Sequence, residues 1–141
     1  MQGGEISEDM LYISWRLKRR ISSERRKLRE MRELIESLSK EIDGLPRGDS
    51  KVSRVESLSV AIIDLERTIA ALKMVRVECI AELGEMLNVL VEDDNQRAVL
   101  MERYGYCQLF RDIGIRLGYS ETHVYYLHRC GLKQINSKII V

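Results

Sequence analysis

Two long stretches of this 141-residue chain place apolar residues alternately three and four positions apart, a spacing that only a helix can turn into one continuous face. In the first, Ser14, Ile21, Leu28, Ile35 and Ile42 form one seam series, and Met10, Leu17, Glu24, Met31, Leu38 and Leu45 form the other. The pattern holds from about Ser7 to Asp43 and breaks at "DGLPRGDSKVS", where Gly44, Pro46 and Gly48 predict a loop over about 44–53. It then resumes with Val55, Ile62, Ile69, Arg76, Leu83 and Leu90, interleaved with Leu58, Leu65, Leu72, Cys79 and Met86.

Folding the second stretch back on the first predicts an antiparallel coiled-coil hairpin. Facing residues in such a pair keep a constant sum of residue numbers, and one register aligns every layer. It sets Leu45 against Val55, Leu38 against Ile62, Leu28 against Leu72 and Leu17 against Leu83. The same register puts Glu24 opposite Arg76, the charged residues of the two seams, so an ion pair between them is expected to fix the alignment. Ile13, Leu34, Ile63, Ile80 and Leu87 lie off the seam and predict packing against another chain or against the C-terminal part. A homodimer or a higher homo-oligomer is therefore expected, with the arms paired within or between chains.

Composition agrees with an all-α fold. Hydrophobic residues are 45% of the chain, enough for a core, while aromatics are 6% and there is one proline. Three cysteines without framework spacing predict a reducing, cytoplasmic setting. Cys107, His123, His128 and Cys130 lack the paired spacing of a zinc site, so no metal and no cofactor are expected. No apolar run approaches the ~20 residues that span a bilayer, and no signal peptide is seen, so no membrane partner is expected. No Gly-rich phosphate loop and no nucleophile beside a base point to an enzyme.

Charge is uneven. Residues 97–141 hold 7 basic against 3 acidic groups, and Arg16 to Arg32 holds nine basic residues against Glu24 and Glu30. The second cluster reads as a solvated face. The first coincides with a different helical pattern. Asp93, Asp94 and Asn95 are suited to start a helix whose buried side is Val99, Leu100, Met101 and Tyr104, ending at Gly105. In "RDIGIRLGYSETHVYYLHR", Phe110 (just before), Ile113 and Leu117 recur at helical spacing. Gly114 is small where two helices would cross, and Gly118 suits a left-handed stop. Tyr119 plugs the turn, Ser120 caps the next helix, and Val124 and Leu127 face the core. Two short helices joined this way form a helix-turn-helix (HTH).

The second helix would present Glu121, Thr122, His123, Tyr125, Tyr126 and Arg129 to the major groove of double-stranded DNA. Arg97, Arg103, Arg111, Arg116 and Lys133 would supply phosphate contacts. The expected organisation is a hairpin over 1–92, an HTH domain over 93–136 and a tail over 137–141. The closing stretch "INSKIIV" (135–141) is open between packing on the long helices and a strand-like edge, and Gly131 predicts fraying of the second helix.

"RAVLMERY" followed by "DIGIRLGYSETHVYYLHRCGLKQI" resembles region four of bacterial sigma factors, the part that reads an upstream promoter element. Together with "GLPRGDSKVS", the chain is similar over nearly its full length to small phage-encoded sigma-region-four-like regulators. The resemblance implies a sequence-specific transcriptional regulator of phage genes in the cytoplasm of a bacterial host, with host RNA polymerase as a further candidate partner. Two other expectations stand beside it: a phage terminase small subunit, which would assemble as a ring, and a coiled-coil adaptor that does not touch DNA.

Overall fold

A computed structural model describes residues 8–139, with side chains from Met10 to Lys138. The expected helix start near Ser7 and the last two residues of the 137–141 tail lie outside the described residues. Every regular element of the described residues is a helix. A single turn, α1 (Glu8–Leu11), precedes the long helices α2 (Ile13–Glu41) and α3 (Ser50–Leu90). Then come α4 (Asp94–Leu100), a widened π turn at Met101–Gly105, α5 (Phe110–Leu117) and α6 (Glu121–Ile139). No described helix is long and apolar enough to cross a membrane.

Packing divides the chain into two units. One is Arg19–Met74; the other joins the segment ending at Lys18 with Val75 onward. These units are drawn differently from the 1–92 and 93–136 segments of the sequence reading, because Leu83, Leu87, Leu90 and Val91 pack with residues that follow them in the chain.

In the Arg19–Met74 unit, most seam positions are protected, while Leu45 is exposed. Ile21, Leu28 and Leu38 on α2, and Ile69 and Leu72 on α3, are buried. Met31, Ile35, Ile42, Val55, Leu58, Ile62 and Leu65 are half-buried, and most residues between them are exposed. Two ion pairs join the helices: Lys51 with Glu41 at 3.3 Å and Arg32 with Glu66 at 3.0 Å. Both are exposed, so each contributes little beyond about 0–1 kcal/mol. The connection is shorter than the loop expected over 44–53. Asp49 accepts the Lys51 N–H at 2.9 Å and starts α3 at Ser50. Gly44 (φ 80) and Gly48 (φ 94) take the left-handed backbone that reverses the chain.

The other unit has two apolar clusters. Leu11, Leu87, Val91, Leu100, Tyr104 and Ile135 form the first. Val99, Ile113, Val124 and Leu127 form the second, closed by Phe110, Leu117 and Tyr119. Leu87, read as lying off the seam, is 2% exposed here, whereas Ile13, Leu34 and Ile63 remain exposed. Asp93 caps α4 by accepting the Gln96 N–H at 2.9 Å. Helix α6 does not fray at Gly131 but runs on to Ile139. Gly131 lies so close to Leu100 that a Cβ there would come within 2.7 Å of Leu100 Cδ1, and Ile135 one turn later is 1% exposed. Gln134 and Lys138 then bond Glu92, at 3.2 Å each, so the first residues of the expected tail are helix.

The π turn has a clear physical role. The carbonyls of Arg103 and Gly105 lie in its last residues, where a helix end leaves C=O groups without an in-helix partner. Both are taken by donors from the start of α2: Trp15 Nε1 to Arg103 O at 2.7 Å, and Ser14 Oγ to Gly105 O at 2.8 Å. Ser14, a seam position in the heptad pattern, is 4% exposed and occupied by this bond.

Candidate nucleic-acid interface

The candidate surface is built on the α5–α6 corner. Phe110, Ile113 and Leu117 repeat at helical spacing and fill the second cluster. At its end Gly118 adopts φ 79, and the N–H groups of Gly118 and Tyr119 both reach Gly114 O, at 2.9 and 2.8 Å. A Cβ on Gly114 would stand 2.7 Å from Tyr119 O and 3.5 Å from Val124 Cγ2. Glycine is what permits this approach. Ser120 Oγ accepts the His123 N–H at 3.2 Å and caps α6.

Val124, Leu127, Gly131 and Ile135 give α6 its buried side. Thr122, Tyr125, Tyr126, Arg129 and Lys133 lie within one exposed stripe on the other. Glu121 and His123 flank it at the helix start, and all are exposed. Two of these side chains are held by aromatic neighbours. Tyr125 lies 4.4 Å from the Phe110 ring, and His123 sits 4.9 Å from Tyr119 and 6.1 Å from Tyr126. Arg111 is exposed on α5.

Not every basic residue expected at phosphates is free to go there. Arg97 donates to the carbonyls of Val91 and Glu92, at 2.7 and 3.1 Å, and pairs with Asp94, so it ties off the C-terminus of α3. The Arg103 guanidinium is sandwiched between the Trp15 ring (4.8 Å) and the Phe110 ring (4.2 Å) and donates to Gln108 O. Arg116 is bonded at 3.0 Å to the largely buried Glu102. Arg111, Arg129 and Lys133 are exposed on this surface and take part in none of these contacts, and Arg116 is exposed although paired.

The seam charges each find partners inside their own unit. Glu24 faces Lys27 one turn along α2, at 3.5 Å. Arg76 donates to Ser14 Oγ at 3.3 Å and Cys107 Sγ at 3.7 Å. Cys107 is buried at a non-glycine positive φ of 59 in this polar cluster.

His128 lies between Tyr104 and Phe110, with Nε2 2.6 Å from the Tyr104 hydroxyl. Burial first, and the Arg103 charge second, push its pKa down to about 4. The ring is neutral at pH 7 and adds no charge to the surface. Because the unfolded ring titrates near 6.5, the unfolded chain binds more protons between the two values. Stability from His128 is thus complete above pH ~6.5 and is lost as pH falls towards about 4. Since the ring is only half-buried, the loss should be on the order of 1 kcal/mol. Urea midpoints of wild type and His128→Phe at pH 7 and pH 5 measure it. A wild-type midpoint that falls no more than the variant's would refute the assignment.

No protein-family model matches the chain, and neither a curated protein nor a solved structure is similar to it at a meaningful level. The function therefore rests on the surface itself.

Proposed function

We propose that the chain is a sequence-specific DNA-binding transcriptional regulator of phage genes, acting in the cytoplasm of a bacterial host as a homodimer or higher homo-oligomer. In this reading α5 and α6 are an HTH, α6 is the recognition helix, and α2 and α3 form an antiparallel coiled-coil hairpin that serves oligomerisation. Host RNA polymerase is a further partner. One observation carries the reading: an exposed stripe of Thr122, Tyr125, Tyr126, Arg129 and Lys133 on a helix whose start is set by Gly114, Gly118 and Ser120. A helix held by a glycine crossing and capped at its first turn delivers its N-terminal side chains at a fixed angle, which reading base edges requires.

Roles follow from chemistry. Thr122 suits a base edge or a thymine methyl, and Glu121 can accept from cytosine. His123 and Tyr125, braced by Tyr119 and Phe110, present flat surfaces to the groove. Arg111, Arg129, Lys133 and Tyr126 suit phosphates. Ser120 acts through its cap rather than by reaching DNA.

The test is binding of the full chain to DNA fragments from the neighbourhood of its own coding region, at several salt concentrations, beside Thr122→Ala/Tyr125→Ala/Arg129→Ala. The variant is expected to lose roughly 100-fold in selective affinity and about one unit of salt slope. Unchanged selectivity in the variant would remove α6 as the reader. Absence of binding by both proteins at low salt would turn the assignment towards a protein–protein adaptor.

A further inference from the structure

Helix α3 carries a second apolar seam on the face opposite the first. Val60, Ile63, Arg67, Ala70 and Met74 are again spaced alternately three and four apart, and the same period continues to Val77. All are exposed: Val60 is 60%, Ile63 49%, Met74 61% and Val77 62% accessible. A helix apolar on both faces is built to be covered on both. We propose that this face docks on the same face of a second copy of the chain, antiparallel, with Ile63 against Met74 of the second copy and Arg67 over its Ala70. The proposal rests on the homo-oligomer part of the proposed function and adds to it a face, an orientation and a register.

Charge selects that arrangement. A parallel pairing would set Arg67, the one charge within this stripe, against its own copy. The antiparallel register named here puts its long side chain over alanine, where the guanidinium can reach water. Beside the seam it brings Glu66 next to Lys73 of the second copy, and by the two-fold symmetry Lys73 next to Glu66. Sliding by one heptad in one direction places Lys73 against Lys73. Sliding the other way places Glu66 against Glu66 and Asp64 against Asp64. Arg32 already holds Glu66 on that edge at 3.0 Å, which orients the carboxylate. The 620 Å³ groove floored by Leu28, Ile69 and Ala70 runs beside the same edge, with Lys73 on its rim.

Sedimentation of the full chain without DNA tests this. Wild type is expected at twice the monomer mass. Ile63→Glu/Met74→Glu should raise the dimer dissociation constant roughly 100-fold or more while far-ultraviolet circular dichroism stays unchanged, since both positions are exposed in the monomer. Glu66→Lys and Lys73→Glu should each weaken the dimer, and the double exchange should restore it, because only the antiparallel register makes them neighbours. A monomeric wild type, or a Glu/Glu variant as dimeric as wild type, overturns the proposal. A double exchange no stronger than the sum of the single effects overturns the register. A monomer that still binds DNA selectively would sink this inference alone, and a dimer with the stated behaviour that ignores DNA would sink the DNA reading alone.

Discussion

Replacing Gly114 by valine is expected to lower the unfolding free energy by about 3 kcal/mol and, under the proposed function, to abolish selective DNA binding in the molecules that remain folded. The reason lies in one distance. A Cβ at this position would stand 2.7 Å from Tyr119 O, a backbone atom that cannot swing away as a side chain could. Relief requires the Gly118–Ser120 connection to move. That connection holds two N–H bonds to Gly114 O and the Ser120 cap on α6, so both would be strained with it. Valine also gains little from helix propensity over glycine, so no large compensation is available. Urea denaturation followed by Trp15 fluorescence measures the loss, because the chain's one tryptophan is bonded to Arg103 O in the same unit. A loss under about 0.5 kcal/mol would mean that α5 and α6 do not cross this closely.

Leu100→Ala is expected to cost about 3–4 kcal/mol. Leu100 is wholly buried, in the cluster with Leu87, Val91, Tyr104 and Ile135, and it fills the notch left by Gly131 on α6. Alanine would remove its contacts with α3 and α6 together, and Gly131 offers no side chain to collapse into the space. Gly131→Ala in the Leu100→Ala background supplies the missing methyl where the clash with Leu100 Cδ1 has gone. That pair should recover part of the loss, so the two changes are non-additive. Additive destabilisation would show that Leu100 and Gly131 are not in contact.

Much of this was readable in the chain. The alternation of three and four gave the helices, because it depends only on helical geometry, and most of the protected positions of the long arms, though Met10 and Leu45 are exposed. Asp93, Gly114, Gly118 and Ser120 could be assigned from their own chemistry: a carboxylate for free N–H groups, a missing Cβ at a crossing, a left-handed stop and a hydroxyl cap. The exposed stripe of α6 followed from where its apolar residues fell. Each of these inferences needs only neighbours a few positions away.

Partner choice was not readable in the same way. Spacing could not name the partners that Glu24 and Arg76 take within their own units, Lys27 for the first and Ser14 with Cys107 for the second. Arg97 and Arg103 look like any surface cations until Val91, Glu92, Trp15 and Phe110 are seen around them. The loop shortened to Asp49, and α6 passed through Gly131, for the same kind of reason: a local preference was outweighed by a capping carboxylate in one case and by close packing on Leu100 in the other. Periodicity and capping are encoded within a turn or two of helix, so the amino-acid order settles them. The partner of a long side chain depends on which distant segment returns beside it, here the Ser14 and Trp15 turn meeting a π turn some ninety residues later, and only the folded chain brings those atoms together.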